Sequence, residues 1–235
     1  MVNKWINSNR FSLSVASCFL CGATGRHKTD LCPACDEDLP RPTSSCYRCA
    51  AEIPASGGLL CGHCLQRPPP MERTISALRY GPPLAQLITD LKFHQKLVIA
   101  RILGQLLCSH LDKLSIDRPD VLIPVPLHAK RLHERGYNQS LEIARPVSRQ
   151  LNIPLDISLC RRQRHTAPQT GLSAKERQKN MKQAFALTRP CNYAHVAIID
   201  DVITTGHTVQ ELSNLLKRNG VERVQVWSVA RAIAD

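Results

Sequence analysis

The chain has 235 residues, 43% of them hydrophobic and 4% aromatic, which is enough for one α/β domain and a small additional module. Its 31 Lys and Arg and 19 Asp and Glu give a formal net charge of +12, which favours polyphosphate ligands or nucleic acid as partners over a merely solvated basic surface. No run of about 18 apolar residues occurs, so the sequence excludes a membrane span. The short N-terminal apolar stretch is broken by serines, which argues against a signal peptide. The sequence therefore predicts a cytoplasmic protein.

Eight of the 11 cysteines lie within the first 64 residues, in four C-x-x-C pairs. The pairs are Cys18/Cys21, Cys32/Cys35, Cys46/Cys49 and Cys61/Cys64. Two such pairs supply four thiolates to one tetrahedral zinc ion and leave no open position, so the pattern predicts two structural zinc sites. A disulfide framework is the less favoured alternative, because the spacing fits a metal better. We favour zinc sharing by consecutive pairs, although outer-with-outer and inner-with-inner sharing is also sterically allowed.

The prolines at 68–70 mark a predicted domain boundary. We expect an N-terminal extension over residues 1–17, a double zinc-ribbon module over 18–66 and an α/β domain over 67–235. Two bound zinc ions with eight thiolates would lower the net charge to about +8.

After this boundary, strand patterns and helix patterns alternate. Strands are predicted at 74–80, 121–123, 196–199 and 224–229. Helices are predicted at 84–91, 97–106, 140–151 with a kink or boundary at Pro146, 173–185 and 209–216, and a long polar loop at 161–172. This alternation predicts a parallel sheet with helices on both faces, a Rossmann-like fold that binds ligands beyond the carboxyl ends of its strands.

Basic residues follow the predicted strand at 121–123. Lys130, Arg131 and Arg135 lie in the next segment, before Gly136 and a helix. Cationic donors beyond the end of a strand suit a pyrophosphate group. The basic excess continues, since residues 128–182 contain 12 Lys and Arg against four Asp and Glu.

The segment from Val196 to Thr208 carries the strongest functional pattern. Its buried strand is followed by the carboxylates Asp200 and Asp201 and then by a polar loop before a helix. The loop residues are Thr204, Thr205, Gly206, His207 and Thr208. Loop amides, hydroxyls and the helix dipole would converge on a phosphate, and the carboxylates would accept hydrogen bonds from sugar hydroxyls. The segment therefore predicts a ribose 5-phosphate site. The alternatives are a threonine-rich turn with a solvated acidic pair and, for His207, a plain surface histidine.

The order hydrophobic strand, Asp-Asp, Thr-Thr-Gly-x-Thr resembles the signature of the type I phosphoribosyltransferases, which bind phosphoribosyl pyrophosphate (PRPP). The resemblance implies that Asp200 and Asp201 hold the ribose hydroxyls at the catalytic centre, with Mg²⁺ bridging the hydroxyls and the pyrophosphate, and that the loop from Thr204 to Thr208 wraps the 5-phosphate. It also implies a pyrophosphate-binding loop after the strand at 121–123. The residues of that loop are Val125, Pro126, Leu127, Lys130, Arg131 and Arg135. Lys92 is either a further pyrophosphate contact or a surface lysine.

Longer motifs narrow the resemblance. PVPLHxxRxxxRGYNQ, RxRHTxxQxxLSxxxRxxNMxxAF and the Asp-Asp motif, all behind C-x-x-C pairs, are similar to the ComF family and its GntX-like members from Cys18 to about residue 232. That family joins a zinc-ribbon module to a phosphoribosyltransferase domain, and several members are tied to DNA uptake in natural competence. The resemblance further implies a flexible loop that closes over PRPP, containing Arg162, Arg164 and Gln169.

Three functions remain open from the sequence. The first is a PRPP-binding ComF-like factor in DNA uptake that contacts single-stranded DNA and other uptake proteins. The second is an active phosphoribosyltransferase of nucleotide salvage or of an unknown acceptor, for which we recognise no acceptor-binding hood. The third is a zinc-ribbon adaptor for nucleic acid or protein whose α/β domain is an inactive scaffold.

Overall fold

The computed structural model describes residues 17–24, 30–56, 58–163 and 184–232. The chain forms two compact units, Met1–Asp38 and Leu39–Asp235. The first unit contains the first two cysteine pairs, and the second contains the other two pairs and the main sheet. The domain boundary expected between residues 66 and 67 remains a sequence-based prediction. No helix within the described ranges is long and apolar enough to cross a membrane.

The first unit is organised around its cysteines. Helix α1, Pro33–Glu37, begins directly after Cys32, whose sulfur accepts a hydrogen bond from the amide of Cys35 at 3.5 Å. A proline is tolerated at the start of this helix because the first helical amides have no intrahelical acceptor. Ser17 and Thr24 form an antiparallel bridge on either side of the first C-x-x-C pair.

Strands and helices of the second unit follow the predicted alternation. The strands are β1 (Arg73–Arg79), β2 (Val121–Pro124), β3 (Cys160–Arg162), β4 (Phe185–Leu187), β5 (His195–Ile203) and β6 (Arg223–Arg231). The helices are α2 (Gly62–Gln66), α3 (Leu84–Phe93), α4 (Val98–Leu111), α5 (Ala129–Arg135), α6 (Gln139–Leu151) and α7 (His207–Arg218). Four strands form a parallel sheet in the order β1-β6-β5-β2, and β3 and β4 form a separate antiparallel pair.

Both faces of the parallel sheet are covered. Ile123 and Ile198 pack with Leu212 and Leu216 of α7 in one core cluster. Successive side chains of a strand point to opposite faces, so residues such as Leu122, which is also fully buried, face the other side. Helices α4 and α6 pack against each other and against this sheet. The arrangement confirms the predicted parallel α/β fold.

Helix α6 continues through Pro146, so the predicted boundary at this proline is wrong. The proline ring lies beside Gly104 of α4, where a Cβ would come within 2.4 Å of the Pro146 Cγ. The absence of a side chain at Gly104 therefore leaves room for the ring and lets α4 and α6 approach closely.

Two other boundaries also differ from the sequence prediction. Residues 161 and 162 belong to β3 rather than to a loop, and Phe185 begins β4 rather than ending a helix. These strands are only three residues long and pair with each other, which a short polar sequence does not reveal. The remainder of the predicted loop and helix, residues 164–183, lies outside the described residues.

The edge strand β1 is covered by the second cysteine segment, the part of the chain from Cys46 to Cys64. The amide of Thr74 donates to the carbonyl of Tyr47 at 3.0 Å, and its hydroxyl donates to the carbonyl of Arg48 at 2.6 Å. The Arg73 guanidinium lies over the Tyr47 ring, 4.9 Å from its centroid. These contacts cover part of an otherwise open sheet edge and join the second cysteine segment to the sheet.

Candidate ligand site and zinc centres

The acidic pair lies inside β5 rather than after its end, because the strand continues to Ile203. Asp200 and Asp201 are only 7% and 3% exposed. The Oδ1 of Asp200 accepts hydrogen bonds from the Ser140 hydroxyl at 3.0 Å and from the Asp201 amide at 2.9 Å. The Oδ1 of Asp201 accepts from the Gln139 amide group at 3.4 Å. The two carboxylates therefore belong to a buried polar network.

The start of α6 supplies this network. Asn138 caps the helix, since its Oδ1 accepts from the amide of Ser140 at 3.1 Å. Its Nδ2 donates to the carbonyl of Val125 at 3.0 Å. One side chain thus fixes both the helix start beside the carboxylates and the segment after β2. The positive end of the helix dipole also favours negative charge at this position.

The environment of Asp200 disfavours its ionised form. Burial, followed by the neighbouring charge of Asp201, raises the pKa of Asp200 well above its ordinary value of 3.8. The Lys92 ammonium and the Ser140 hydroxyl act in the opposite direction but do not offset these effects. A carboxyl group of this kind binds a proton in the free protein and releases it when a cation or a group of hydrogen-bond donors binds nearby.

Lys92, at the last turn of α3, forms an ion pair with the Oδ2 of Asp201. That buried oxygen accepts no hydrogen bond from the described residues. Lys92 therefore provides the positive charge that a bound metal ion would otherwise provide. Mg²⁺ prefers carboxylate and other oxygen ligands, so the carboxylate oxygens of Asp200 and Asp201 fit the magnesium ion of a magnesium–PRPP complex.

The loop between β5 and α7 encloses a cavity of about 40 Å³, lined by Asp200 and residues 202–209. Gly206 has φ of +82°, a conformation that side chains other than glycine rarely adopt. Helix α7 begins at His207, and the first amides of a helix have no intrahelical acceptor. The predicted phosphate loop, including His207 and Thr208, thus surrounds one small cavity at a helix N-terminus.

A larger cavity of about 370 Å³ lies beyond the ends of β2 and β5 and is lined by several separate parts of the chain. Residues after β2 contribute Val125, Leu127 and Arg131. The acidic pair and the phosphate loop contribute Asp200, Asp201, Thr204 and Thr208. The remaining lining residues are Tyr80, Lys92, Gln139, Arg162 and Val202. The cavity brings candidate ribose, phosphate and pyrophosphate groups together.

Three predicted pyrophosphate residues do not line this larger cavity: Pro126, Lys130 and Arg135. Lys130 is exposed on α5. Arg135 donates to the Oε1 of Gln139 and lies 5.7 Å from the Phe93 ring centroid. Burial lowers the pKa of the Arg135 guanidinium, against the effect of nearby Asp201. Arg135 therefore contacts the site through Gln139 rather than through the cavity itself.

Only one residue of the predicted flexible loop lies in the described ranges. Arg162 ends β3, lines the larger cavity and lies 5.6 Å from the Phe185 ring centroid. Burial and the charge of Arg131 lower the pKa of Arg162, while Asp200 opposes them. The other two residues of the prediction, Arg164 and Gln169, lie outside the described residues.

The eight C-x-x-C cysteines converge in two groups of consecutive pairs, within 4.8 Å in each group. The groups are Cys18, Cys21, Cys32 and Cys35, and Cys46, Cys49, Cys61 and Cys64. The Cys21 and Cys32 sulfurs are 3.7 Å apart, as are those of Cys49 and Cys61. A tetrahedron with zinc–sulfur bonds of 2.3 Å has edges of about 3.8 Å, so the geometry fits zinc. All eleven cysteines are free of disulfide bonds.

Sequence reasoning missed Gln139 and Ser140 as partners of the acidic pair. Their only local signal is the preceding Asn138, a residue type that often caps a helix. Nothing in the local sequence states that this helix start faces a carboxylate pair 60 residues further along the chain.

Comparisons with known proteins agree with this arrangement. Residues 138–235 match the phosphoribosyl transferase domain family, and residues 14–69 match the double zinc ribbon domain family. The chain is 40% identical over 220 residues to the DNA utilization protein YhgH of Escherichia coli O6:H1, covering 92% of this chain and 90% of that protein. It is 39% identical over 216 residues to competence protein F of Haemophilus influenzae, covering 87% and 92%.

A more distant relative is competence protein ComFC of Bacillus subtilis, at 25% identity over 154 residues, or 62% of this chain and 58% of that protein. The zinc-ribbon match and the two sulfur groups together support two structural zinc sites. The chain therefore belongs to the ComF/GntX-like family, in which a double zinc ribbon is joined to a phosphoribosyltransferase domain.

Proposed function

We propose that this protein binds PRPP together with Mg²⁺ in the larger cavity and acts in the uptake or utilisation of DNA. Asp200 and Asp201 would hold the ribose hydroxyls, the loop from Thr204 to Thr208 the 5-phosphate, and Arg131 the pyrophosphate. Mg²⁺ would neutralise the pyrophosphate and draw on the acidic pair for oxygen ligands.

One observation carries this proposal. Two segments that are distant in sequence meet at one cavity of about 370 Å³: residues 200–208 contribute groups for a sugar and its phosphate, and residues 125–131 contribute groups for a pyrophosphate. A scaffold without a ligand has no need of two carboxylates buried side by side, because burial of like charges is costly. The cavity thus supports PRPP binding over an inactive α/β scaffold.

Calorimetric titration with PRPP and Mg²⁺ tests the proposal directly. The wild-type protein is expected to bind one PRPP per chain, and the Asp200→Ala/Asp201→Ala variant to bind at least about 100-fold more weakly, because it loses two charge-assisted contacts. Asp112→Asn, at an exposed aspartate after α4, is the matched control and should bind like the wild type. Absence of wild-type binding at millimolar PRPP would overturn the proposal.

The role in DNA metabolism is supported by two observations. The relatives that match most of this chain are named for DNA utilization and competence. The chain also has a basic excess of +12 before metal binding. We therefore propose contact with single-stranded DNA, chiefly through phosphates, since only 4% of residues are aromatic.

Fluorescence anisotropy with a labelled oligonucleotide tests this contact. Affinity should fall steeply and linearly on a log–log plot as salt rises from about 50 to 200 mM, because released counterions drive phosphate binding. An affinity independent of salt would contradict the proposal. Pyrophosphate release with a defined nucleobase, assayed on the same protein, would instead identify a phosphoribosyltransferase.

A further inference from the structure

Arg231, the last residue of β6, contacts both the second cysteine group and the phosphate loop. Its Nε donates to the carbonyl of Cys49 at 3.1 Å. One of its terminal nitrogens donates to the carbonyl of Ile203 at 3.0 Å and to the carbonyl of Thr204. A single half-buried guanidinium thus joins Cys49 of the second cysteine group to Thr204, the first residue of the candidate phosphate loop.

The main chain of Arg231 reinforces this position. Its carbonyl accepts from the amide of Tyr80, which lines the larger cavity, and Arg231 lies opposite Ile203 in the pairing of β5 and β6. The amide of the next residue, Ala232, donates to the carbonyl of Ile203 at 2.9 Å. The end of β6 is therefore held rigidly, and the side chain has a fixed base from which to reach the loop.

The Cys49 carbonyl is positioned by the metal group. Cys49 belongs to the third C-x-x-C pair, the first pair of the second cysteine group. The sulfur of Cys46 in this pair accepts a hydrogen bond from the amide of Cys61 at 3.3 Å, and the turn continues into Ala50, which has φ of +55°. Four sulfur–zinc bonds to one ion fix such a turn, and loss of the ion removes the bonds that hold the four cysteines together. The geometry of the Cys49 carbonyl then depends on zinc.

We infer that Arg231 is a positioning residue that couples zinc binding at the second cysteine group to PRPP affinity at the phosphate loop. The inference rests on the proposed PRPP site. Zinc holds the Cys49 carbonyl, the carbonyl orients the guanidinium, and the guanidinium holds the Thr204 carbonyl so that the loop amides and hydroxyls face the cavity. By linkage the effect is reciprocal, so PRPP must also strengthen zinc binding by the same factor.

Arg79 is a suitable matched control. It is the residue paired with Arg231 in the register of β1 and β6, and it also reaches the second cysteine segment, through an ion pair with Glu52 at 3.7 Å. Its described ion-pair partner belongs to the cysteine segment and not to the phosphate loop. Substitution of either arginine removes one contact with the cysteine segment, but only Arg231 also contacts the loop.

The first experiment measures PRPP affinity by calorimetry in the full-length protein with Mg²⁺. Arg231→Gln is expected to weaken PRPP binding about tenfold or more, and Arg79→Gln by less than about twofold, because only the former releases the loop. Cys61→Ser should reproduce the Arg231 effect, whereas Cys32→Ser, at the equivalent position of the first group, should not. Equal PRPP affinity in Arg231→Gln, Cys61→Ser and the wild type would overturn the inference while leaving the PRPP site intact.

The second experiment reads the coupling from the zinc side. The zinc affinity of the second group is measured by equilibrium competition with a chromogenic chelator in the Cys32→Ser background, where the second group is the intact one. Saturating PRPP should raise this affinity about tenfold, and Arg231→Gln should abolish the increase. An unchanged zinc affinity with PRPP bound would refute the coupling. Arg231→Lys, which keeps the charge but cannot reach both carbonyl groups, should show partial coupling if Arg231→Gln fails to fold. A wild-type protein that binds no PRPP would refute the proposed function itself.

Discussion

Asp200 is placed where its ionised form is least stable. Its carboxyl group is buried beside a second carboxyl group, and the Ser140 hydroxyl and Lys92 ammonium only partly compensate. Ligand sites commonly contain carboxyl groups of this kind. The polar side chains that a ligand requires lower the stability of the free protein until the ligand binds. Asp200 should therefore reduce the stability of the free protein at neutral pH.

Asp200→Asn should raise stability and lower PRPP affinity. Folded Asp200 binds its proton more tightly than unfolded Asp200, so the wild-type free energy of unfolding falls as the pH rises above about 4. Asparagine keeps the Oδ1 acceptor and cannot ionise, so the variant should gain nothing at about pH 4 and about 1–3 kcal/mol at pH 8. Urea unfolding across this pH range measures the gain. The exposed Asp112→Asn control should show no pH-dependent gain, and an equal gain in both variants would contradict the explanation.

Lys92→Met should destabilise the protein at neutral pH. Its ammonium pairs with Asp201, whose side chain is 5% exposed, so removal leaves a buried charge uncompensated. We expect a loss of about 2–3 kcal/mol in the free energy of unfolding at pH 7. Lys96→Met removes a more exposed partner of Asp90 and should cost less than about 1 kcal/mol in the same urea experiment. Equal losses would show that the Asp201 ion pair contributes no more than a surface pair.

The position of the acidic pair and the threonine loop between a buried strand and a helix was predictable, because order along the chain and residue type are local information. The partners of the pair were not, because Gln139 and Lys92 reach Asp201 only after two helices pack beside β5. Lys92 was indistinguishable from a surface lysine, since its sequence neighbours do not show which face of α3 meets the sheet.

Secondary-structure elements were predictable where burial produces a long pattern. Strand β5 and helix α7 have continuous or periodic apolar residues, whereas β3 and β4 have three residues each and depend on pairing with each other. Proline carried an ambiguous signal. Pro146 predicts a kink or boundary from sequence, but α6 continues because Gly104 on a neighbouring helix provides space.

Gly104→Ala tests this helix contact. The added methyl group would lie 2.4 Å from the Pro146 Cγ and 3.0 Å from the Ile143 carbonyl oxygen, so the helices must separate. We expect a loss of about 2–3 kcal/mol in the free energy of unfolding, measured with urea. Gly62→Ala, where no atom lies within 4 Å of the new Cβ, should change stability by less than about 1 kcal/mol. A neutral Gly104→Ala variant would show that α4 and α6 have room to adjust.

At the level of the entire chain, the four C-x-x-C pairs predicted metal sites but not how those sites distribute between compact units. The first group belongs to Met1–Asp38, and the second belongs to Leu39–Asp235 together with the parallel sheet. Spacing within a pair is a local property, while attachment to a sheet edge depends on contacts such as those of Thr74 with Tyr47 and Arg48. The two zinc ions should consequently stabilise different parts of the protein.

Loss of the second zinc ion should lower the unfolding temperature of the sheet, and loss of the first should not. Trp227, fully buried in β6, reports on the sheet by fluorescence in a Trp5→Phe background. Cys61→Ser disrupts the group attached to β1 and should lower the Trp227 transition by about 10 °C, since several kcal/mol of metal-linked folding energy is lost. Cys32→Ser should shift it by less than about 3 °C, because its zinc group belongs to the other unit. Equal shifts in the two variants would show that both zinc ions stabilise one cooperative structure. A Trp227 transition unaffected by Cys61→Ser would show that the second ribbon unfolds independently of the sheet.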